Sequence, residues 1–210
     1  MNRYKTVFAE AEVERVIERS RFIARVKPVE TRGDAESFIS DIRSKNKDAT
    51  HNVPAMIIGE KFELQWASDD GEPQGTAGAP IVQMLVREEI TNIAVVVTRY
   101  FGGIKLGTGG LVRAYTGTVK AALSEAGACI VRDMSILTIK TDYAYLDKIQ
   151  SIARNGEFEI REVLYEDTVT LKIASESENS KHVKAILNDV TAGLVVVVSE
   201  AAELVKNLVK

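Results

Sequence analysis

The sequence predicts an α+β protein with two domains, residues 1–135 and 136–210. Three observations support this prediction. Strand and helix patterns are mixed along the first domain, and the second domain has the order strand-helix-strand-strand-helix-strand. Between residues 93 and 126, a β-branched apolar strand runs through a glycine-rich segment into a long amphipathic helix.

The elements of the first domain follow from the spacing of its apolar residues. Asp34 is expected to cap the first helix, Pro80 to lie in the first turn of the second, and Gly127 to end the third. Strands are predicted at 6–16, 21–26, 53–58, 62–66 and 93–98, and helices at 34–47, 80–87 and 110–126.

The second domain has the simpler pattern. Asp142 is expected to cap a helix with apolar residues facing one side, and Gly193 follows a second such helix. Strands are predicted at 136–141, 158–165, 168–174 and 194–199, with helices after 142 and at about 179–191. This βαββαβ order is that of a ferredoxin-like domain.

Composition excludes several classes of protein. A single cysteine excludes an internal disulfide framework and favours a reducing cytoplasm, where we expect the protein to reside. One cysteine and two histidines also disfavour a zinc site, so we expect neither a metal nor a cofactor. No apolar run approaches the ~20 residues of a membrane span. A net charge of −3 disfavours a dedicated DNA-binding protein. Any contact with nucleic acid would then have to come from a local basic patch.

The segment from 99 to 120 is the first candidate site. A glycine-rich loop before a helix leaves free backbone N–H groups at the positive end of the helix dipole, which suits an anion. The alternative is that the glycines allow tight strand–helix packing and that the cations are solvated. The candidate binding residues are Arg99, Tyr100, Phe101, Gly102, Gly103, Lys105, Gly107, Gly109, Gly110, Arg113 and Lys120. Their spacing matches neither a P-loop nor a dinucleotide fingerprint.

The acidic loop at 67–78 is the second candidate site. Asp69, Asp70 and Glu72 could coordinate Mg²⁺, pair with Arg99 or Lys105, or form a polar turn. His51 is a candidate acid–base group beside them or a hydrogen-bonded structural residue. We expect Arg99 to lie within salt-bridge reach of one of the three carboxylates.

Taken together, these segments resemble the YigZ/IMPACT (UPF0029) family in its bacterial two-domain branch. The resemblance is carried by Ser20-Arg21-Phe22-Ile23-Ala24, Thr50-His51-Asn52, Ser68-Asp69-Asp70-Gly71-Glu72-Pro73, Gly75-Thr76-Ala77-Gly78, Arg99-Tyr100-Phe101-Gly102-Gly103 and 106–115. It implies a first domain similar to domain 2 of ribosomal protein S5, followed by a ferredoxin-like domain similar to one near the C-terminus of elongation factor G. The eukaryotic relatives act in translational control.

Two functions remain open at this point. The first is a non-enzymatic binding protein linked to translation, which contacts RNA, the ribosome or a ribosome-associated protein through the glycine-rich loop and basic helix. The alternative is a small hydrolase or transferase that acts on a phosphorylated substrate with His51, Asp69, Asp70 and Glu72. The sequence presents no complete set of nucleophile and base, which favours the first function.

Overall fold

A computed structural model describes residues 2–209 of the chain, which divide into two compact units. The large unit consists of Tyr4–Ile130 together with the residues from Lys206 onward. The small unit consists of Val131–Val205 together with the residues up to Arg3. Both units combine helices with antiparallel strands, so the predicted α+β class is confirmed.

The elements in chain order are β1 (Asn2–Val7), β2 (Ala11–Ile17), β3 (Ser20–Pro28), α1 (Arg32–Lys45), β4 (His51–Ile58), β5 (Leu64–Ala67), α2 (Gly78–Arg87), β6 (Ile93–Tyr100), α3 (Gly107–Ala126), β7 (Ala128–Thr141), α4 (Tyr143–Arg154), β8 (Glu159–Tyr165), β9 (Val169–Glu176), α5 (Ser180–Val190) and β10 (Val196–Leu208). A short 3₁₀ turn, Ser177–Asn179, precedes α5. No helix between residues 2 and 209 is both long enough and apolar enough to cross a membrane.

The sheet of the large unit has the strand order β2-β3-β6-β4-β5, with every neighbouring pair antiparallel. Successive side chains of a strand face opposite sides of the sheet. Val53 and Val97 therefore join the core that α2 and α3 cover, whereas Met56 and Val96 join the core that α1 covers. This alternation decides which residues at the ends of β4 and β6 can meet α3.

Several predicted boundaries of the large unit are wrong. The single strand predicted at 6–16 is two strands, separated by a bend at residues 8–10. Thr31, not Asp34, is the N-cap of α1, and the two side chains form a capping box because Asp34 reaches back to the Thr31 backbone N–H. The third helix begins at Gly107, three residues before the predicted start, and ends before Gly127 as predicted.

The small unit contains the strand order β10-β7-β9-β8, and β1 also pairs with β7. Helices α4 and α5 supply Ile149, Val183 and Leu187 to a core that includes Leu137 and Leu171. Asp142 caps α4 as predicted, accepting a hydrogen bond from the Ala144 backbone N–H. Both β7 and β10 are much longer than the predicted strands at 136–141 and 194–199, because β7 already begins at Ala128 and β10 continues to Leu208.

Candidate functional site

The sheet register brings two of the candidate segments together. His51 at the start of β4 lies opposite Arg99 near the end of β6, and the Thr50 backbone N–H donates to the Arg99 carbonyl at 2.9 Å. Directly paired residues of an antiparallel sheet face the same side. His51 and Arg99 therefore share the side that α3 covers.

A buried ion pair joins β6 to the acidic loop. Arg99 Nη1 lies 2.6 Å from Glu72 Oε1, and the two side chains are only 6% and 3% exposed. The prediction that Arg99 reaches a carboxylate of this loop is confirmed. The guanidinium of Arg99 lies between two aromatic rings, 5.1 Å from the Phe22 centroid and 5.4 Å from that of Phe101.

Tyr115 of α3 completes this cluster, and the sequence did not reveal its role. Its hydroxyl donates to the same Glu72 oxygen at 2.6 Å, while its ring packs edge-on against Phe22. Burial, together with the hydrogen bond to Glu72, raises the pKa of Tyr115 far above its ordinary value. The phenol therefore remains a donor, and Glu72 is held by charge on one side and by a hydroxyl on the other.

The three carboxylates of the acidic loop do not converge. Asp69 accepts backbone hydrogen bonds from Gly75, Ala77 and Gly78, at 2.7, 3.1 and 2.8 Å. Partial burial alone would raise the pKa of Asp69, but these three N–H groups lower it. This carboxylate holds the turn that leads into α2.

The second carboxylate, Asp70, binds residues of α1 and β4. It accepts from the Asn52 backbone N–H at 2.6 Å and from Arg43 at 2.7 Å. Within residues 2–209, no three His, Cys, Asp or Glu side chains are placed to hold a metal ion. The Mg²⁺ interpretation of the acidic loop thus has no ligand set in this part of the chain.

His51 has a fixed orientation. Its Nδ1 lies 2.7 Å from the backbone carbonyl oxygen of Asp70, and because a carbonyl only accepts, Nδ1 carries the proton and donates. In this tautomer Nε2 is the nitrogen that can accept a hydrogen bond, and it lies 3.8 Å from Glu72 Oε1. The backbone carbonyl of Asp70, rather than a carboxylate of Asp69 or Asp70, orients the imidazole.

A cavity of about 440 Å³ opens at this place. All three candidate segments contribute to its walls: Thr50 and His51, then Gly71–Pro73, then Arg99 with the loop into α3. Its complete lining is Thr50, His51, Gly71, Glu72, Pro73, Arg99, Phe101, Lys105, Leu106, Gly107, Thr108 and Leu111. The sequence motifs thus form one composite site, although Thr50, Pro73, Leu106, Thr108 and Leu111 were not singled out beforehand.

The first turn of α3 forms one wall of the cavity. Leu106 at the N-cap offers no side-chain hydrogen bond, so the first backbone N–H groups of this 20-residue helix have no side-chain acceptor there. Gly107 enters the helix with φ of +69°, which favours glycine. Gly103, Gly109 and Gly110 lie in the same loop and first turn.

Gly102 is required for a different reason. A Cβ at this position would collide with the carbonyl group of Arg19, in the turn that joins β2 to β3. Its backbone N–H donates to the Ser20 hydroxyl at 3.1 Å. The role of Gly102 is therefore close backbone packing against the turn between β2 and β3, and not the strand–helix packing that the structural interpretation of the glycines predicted.

The four cations that the sequence suggested do not surround one helix end. Arg99 is buried in its ion pair, and Lys120 pairs with Glu88 about 20 Å along α3 from Gly107. Lys105 is exposed at the cavity, and Arg113 Nη1 lies 3.5 Å from where a Cβ of Gly109 would be. Two cations, Lys105 and Arg113, remain beside the first turn.

The two candidate aromatic residues also separate. Tyr100 faces the α1 side of the sheet, where its hydroxyl contacts Asn46 and Asp48 and Arg21 covers its ring. Burial and the neighbouring Asp48 raise the pKa of Tyr100. Phe101 lines the cavity and is 46% exposed. Of the two rings, only that of Phe101 is available for stacking in the cavity.

Comparison with known proteins places this site within a recognised domain. The Impact N-terminal domain matches residues 18–123, a span that includes the whole cavity lining. The chain is 39% identical over 193 residues to the IMPACT family member YvyE of Bacillus subtilis (strain 168), covering 92% of this chain and 89% of that relative. The chain belongs to the IMPACT family.

Two further relatives cover both units. IMPACT family member YigZ of Escherichia coli (strain K12) is 34% identical over 179 residues, covering 84% of this chain and 88% of YigZ. A crystal structure described as that of a hypothetical protein superposes with a TM-score of 0.61 at 31% identity, covering 94% of this chain and 97% of the other. The family membership thus extends beyond the Impact N-terminal domain to nearly the whole chain.

Proposed function

We propose that this IMPACT-family chain is a non-enzymatic binding protein of the translation apparatus that contacts ribosomal RNA at the cavity beside α3. The observation that carries the proposal is the convergence of three separate segments on one cavity, next to an uncapped helix N-terminus. Backbone N–H groups at such an end bind phosphate without any side-chain charge. The role in translational control that the resemblance implies for eukaryotic relatives supports this choice of partner.

The charges at the cavity suit a short contact with single-stranded RNA. Lys105 and Arg113 can each neutralise one phosphate, and each such contact contributes about 0.7 to the salt slope on a single strand. Two contacts give a slope of about −1.4, which is too shallow for tight binding by charge alone. Stacking of a base on Phe101 therefore supplies a large part of the affinity.

Co-sedimentation with ribosomes, and with isolated ribosomal RNA, tests the proposal. Between 50 and 200 mM salt, the two-contact slope lowers the affinity about sevenfold. The double variant Lys105→Ala/Arg113→Ala should bind weakly and lose this salt dependence while its melting temperature stays unchanged. Lys120→Ala is the matched control on the same helix, because its partner Glu88 lies away from the cavity. Equal binding by the double variant and the control would eliminate this surface.

We also propose the finer fold assignment that the resemblance implies. Residues 1–135 form a domain similar to domain 2 of ribosomal protein S5, and residues 136–210 form a ferredoxin-like domain; residues 1 and 210 lie outside the described chain. The strand order β10-β7-β9-β8 supports the ferredoxin-like assignment. Both clusters of the large unit's core lie between Val7 and Ala126, so a fragment of residues 1–135 should melt cooperatively. A fragment without a cooperative transition would contradict this boundary.

One observation favours the second candidate function, a hydrolase or transferase acting on a phosphorylated substrate. The acceptor nitrogen Nε2 of His51 is held at a cavity that also has a helix N-terminus. Of the four candidate catalytic residues, His51 and Glu72 line the cavity, whereas Asp69 and Asp70 hold the surrounding backbone. A screen of phosphorylated small molecules with the full chain and with His51→Ala tests this function. Turnover that the variant lacks would favour it.

A further inference from the structure

Two hydrogen-bond acceptors at the cavity have no hydrogen-bond donor within residues 2–209. Glu72 lines the cavity with its side chain 3% exposed, and both of its hydrogen bonds, from Arg99 and Tyr115, go to Oε1. Its other oxygen, Oε2, accepts no hydrogen bond from residues 2–209. His51 Nε2 is the second acceptor, and it lies 3.8 Å from Oε1 of the same carboxylate. Oε2 is not fully buried, so a ligand in the cavity that supplies hydrogen-bond donors can reach it.

The cavity also has an end that favours negative charge. The first turn of α3 presents backbone N–H groups, and Lys105 lies beside it. The lining also includes the apolar side chains of Pro73, Phe101 and Leu111. The complementary ligand is therefore a flat group with two adjacent N–H donors and an attached anion.

We propose that this cavity binds one guanine nucleotide. Guanine presents N1–H and the N2 amino group side by side, and these donate to Glu72 Oε2 and His51 Nε2. The base stacks on Phe101, and the phosphate lies at the first turn of α3 near Lys105. The inference rests on the proposed function, because it names the nucleotide of single-stranded RNA that the same site selects, and it also applies to a free guanine nucleotide.

The other bases present a mismatched edge. Adenine and cytosine each place an acceptor beside their amino group, and uracil places acceptors on both sides of its single N–H. Each would direct a lone pair at His51 Nε2 or Glu72 Oε2. A matched pair of hydrogen bonds distinguishes bases by roughly tenfold or more in affinity. A cavity of about 440 Å³ lies within the range of small-ligand sites.

A substitution of His51 can remove the acceptor nitrogen while it keeps the hydrogen bond that supports the fold. Asn in place of His51 keeps a donor near the Nδ1 position for the Asp70 carbonyl and removes the acceptor at Nε2. The variant His51→Asn should lose about tenfold in affinity for GMP and bind AMP, CMP and UMP as before. His182→Asn is the matched control, since His182 is an exposed residue of α5 in the small unit.

The experiment measures binding of GMP, AMP, CMP and UMP, and of single-stranded RNA with and without one guanosine, by calorimetry on the full chain. Amide NMR shifts of Gly107, Gly109 and Gly110 locate the phosphate. Preference for GMP that His51→Asn abolishes and His182→Asn retains is the expected result. Equal binding of the four monophosphates, or binding of RNA without preference for guanosine, overturns the inference and leaves the proposed function intact. GMP selectivity without association with ribosomes or RNA overturns the proposed function alone.

Discussion

Two glutamates, one in each unit, are held by neighbouring side chains under opposite conditions of solvent exposure. Glu72 in the large unit accepts from Arg99 and Tyr115, with His51 nearby, and is almost completely buried. Glu200 in the small unit accepts from Ser135, Ser180 and Lys184, at 3.1, 2.6 and 2.6 Å, and its side chain is 41% exposed. The loss of a hydrogen-bond partner therefore has a different energetic consequence at each glutamate.

The two glutamates differ in their access to solvent. Water compensates a lost partner at Glu200, whereas at Glu72 nothing replaces it, and a charge is left unpaired in a medium of low polarity. The buried cluster is sensitive to the removal of any partner. The exposed cluster is sensitive to the protonation of the carboxylate, because the hydrogen bond from Lys184, followed by that from Ser180, lowers the pKa of Glu200 to about 2.

The largest expected effect is at Arg99. Replacement by Met keeps the length of the side chain and leaves the buried charge of Glu72 with Tyr115 as its only direct partner. We expect the free energy of unfolding to fall by about 3–5 kcal/mol, measured by urea denaturation. Lys120→Met, which breaks the exposed pair with Glu88, should change it by less than about 1 kcal/mol. Similar losses in the two variants would remove the distinction between buried and exposed pairs.

A smaller effect is expected at Tyr115. Replacement by Phe keeps the ring against Phe22 and removes the hydroxyl that donates to Glu72. Hydrogen bonds to charged groups contribute about 1.5–3 kcal/mol, so the loss in unfolding free energy should be about 2 kcal/mol. Tyr143→Phe is the control, because its exposed hydroxyl donates to the Glu166 carbonyl. A loss at Tyr115 no greater than in this control would contradict the role assigned to the hydroxyl.

The smallest effect concerns Glu200 and depends on pH. The pKa of Glu200 is lowered from 4.5 to about 2 in the folded chain, so its contribution to stability is complete above pH 4.5 and is lost as the pH falls toward 2. In Glu200→Gln this part of the acid destabilisation should be absent. Urea midpoints of both proteins at several pH values in that interval check the prediction, and parallel curves would refute it.

Much of the fold was predictable, because local sequence determines most helix ends and buried strands. As expected, Asp142 caps the start of α4 and Gly127 follows the end of α3, because capping involves only neighbouring residues. The length of β10 was not predicted, because its second half shows no apolar alternation. The length of β7 was missed although Cys129 and Val131 alternate with less buried residues, because Arg132 and Asp133 interrupt the apolar pattern before residue 136. At the N-terminus of α1, both Thr31 and Asp34 suit a cap, and their reciprocal hydrogen bonds use both.

Individual residues of the site were predictable, but the hydrogen bonds that connect them were not. The unusual composition of the loops indicated Arg99 and Glu72, and the need of a buried arginine for an acceptor indicated their contact. Two features were not visible in the sequence: the hydroxyl of Tyr115, whose apolar spacing is that of a core residue, and the backbone carbonyl that orients His51. Lys120 was misplaced because sharing a helix face was taken as closeness to the helix end, although the rise per residue alone puts Lys120 about 20 Å from Gly107.

Because His51 pairs with Arg99, the site forms only when β4 and β6 pair in the native register. A shift of β4 by one residue against β6 would turn His51 to the α1 side, and it would also move Val53, Ala55 and Ile57 out of the core that α2 and α3 cover and Met56 out of the core that α1 covers. A chain with the wrong register would therefore lose the pairing of His51 with Arg99 and would also have to repack both cores, since β4 is buried on both of its faces. Ligand binding at this site would therefore measure the fraction of molecules whose sheet has the native register, and molecules with a shifted register would not contribute.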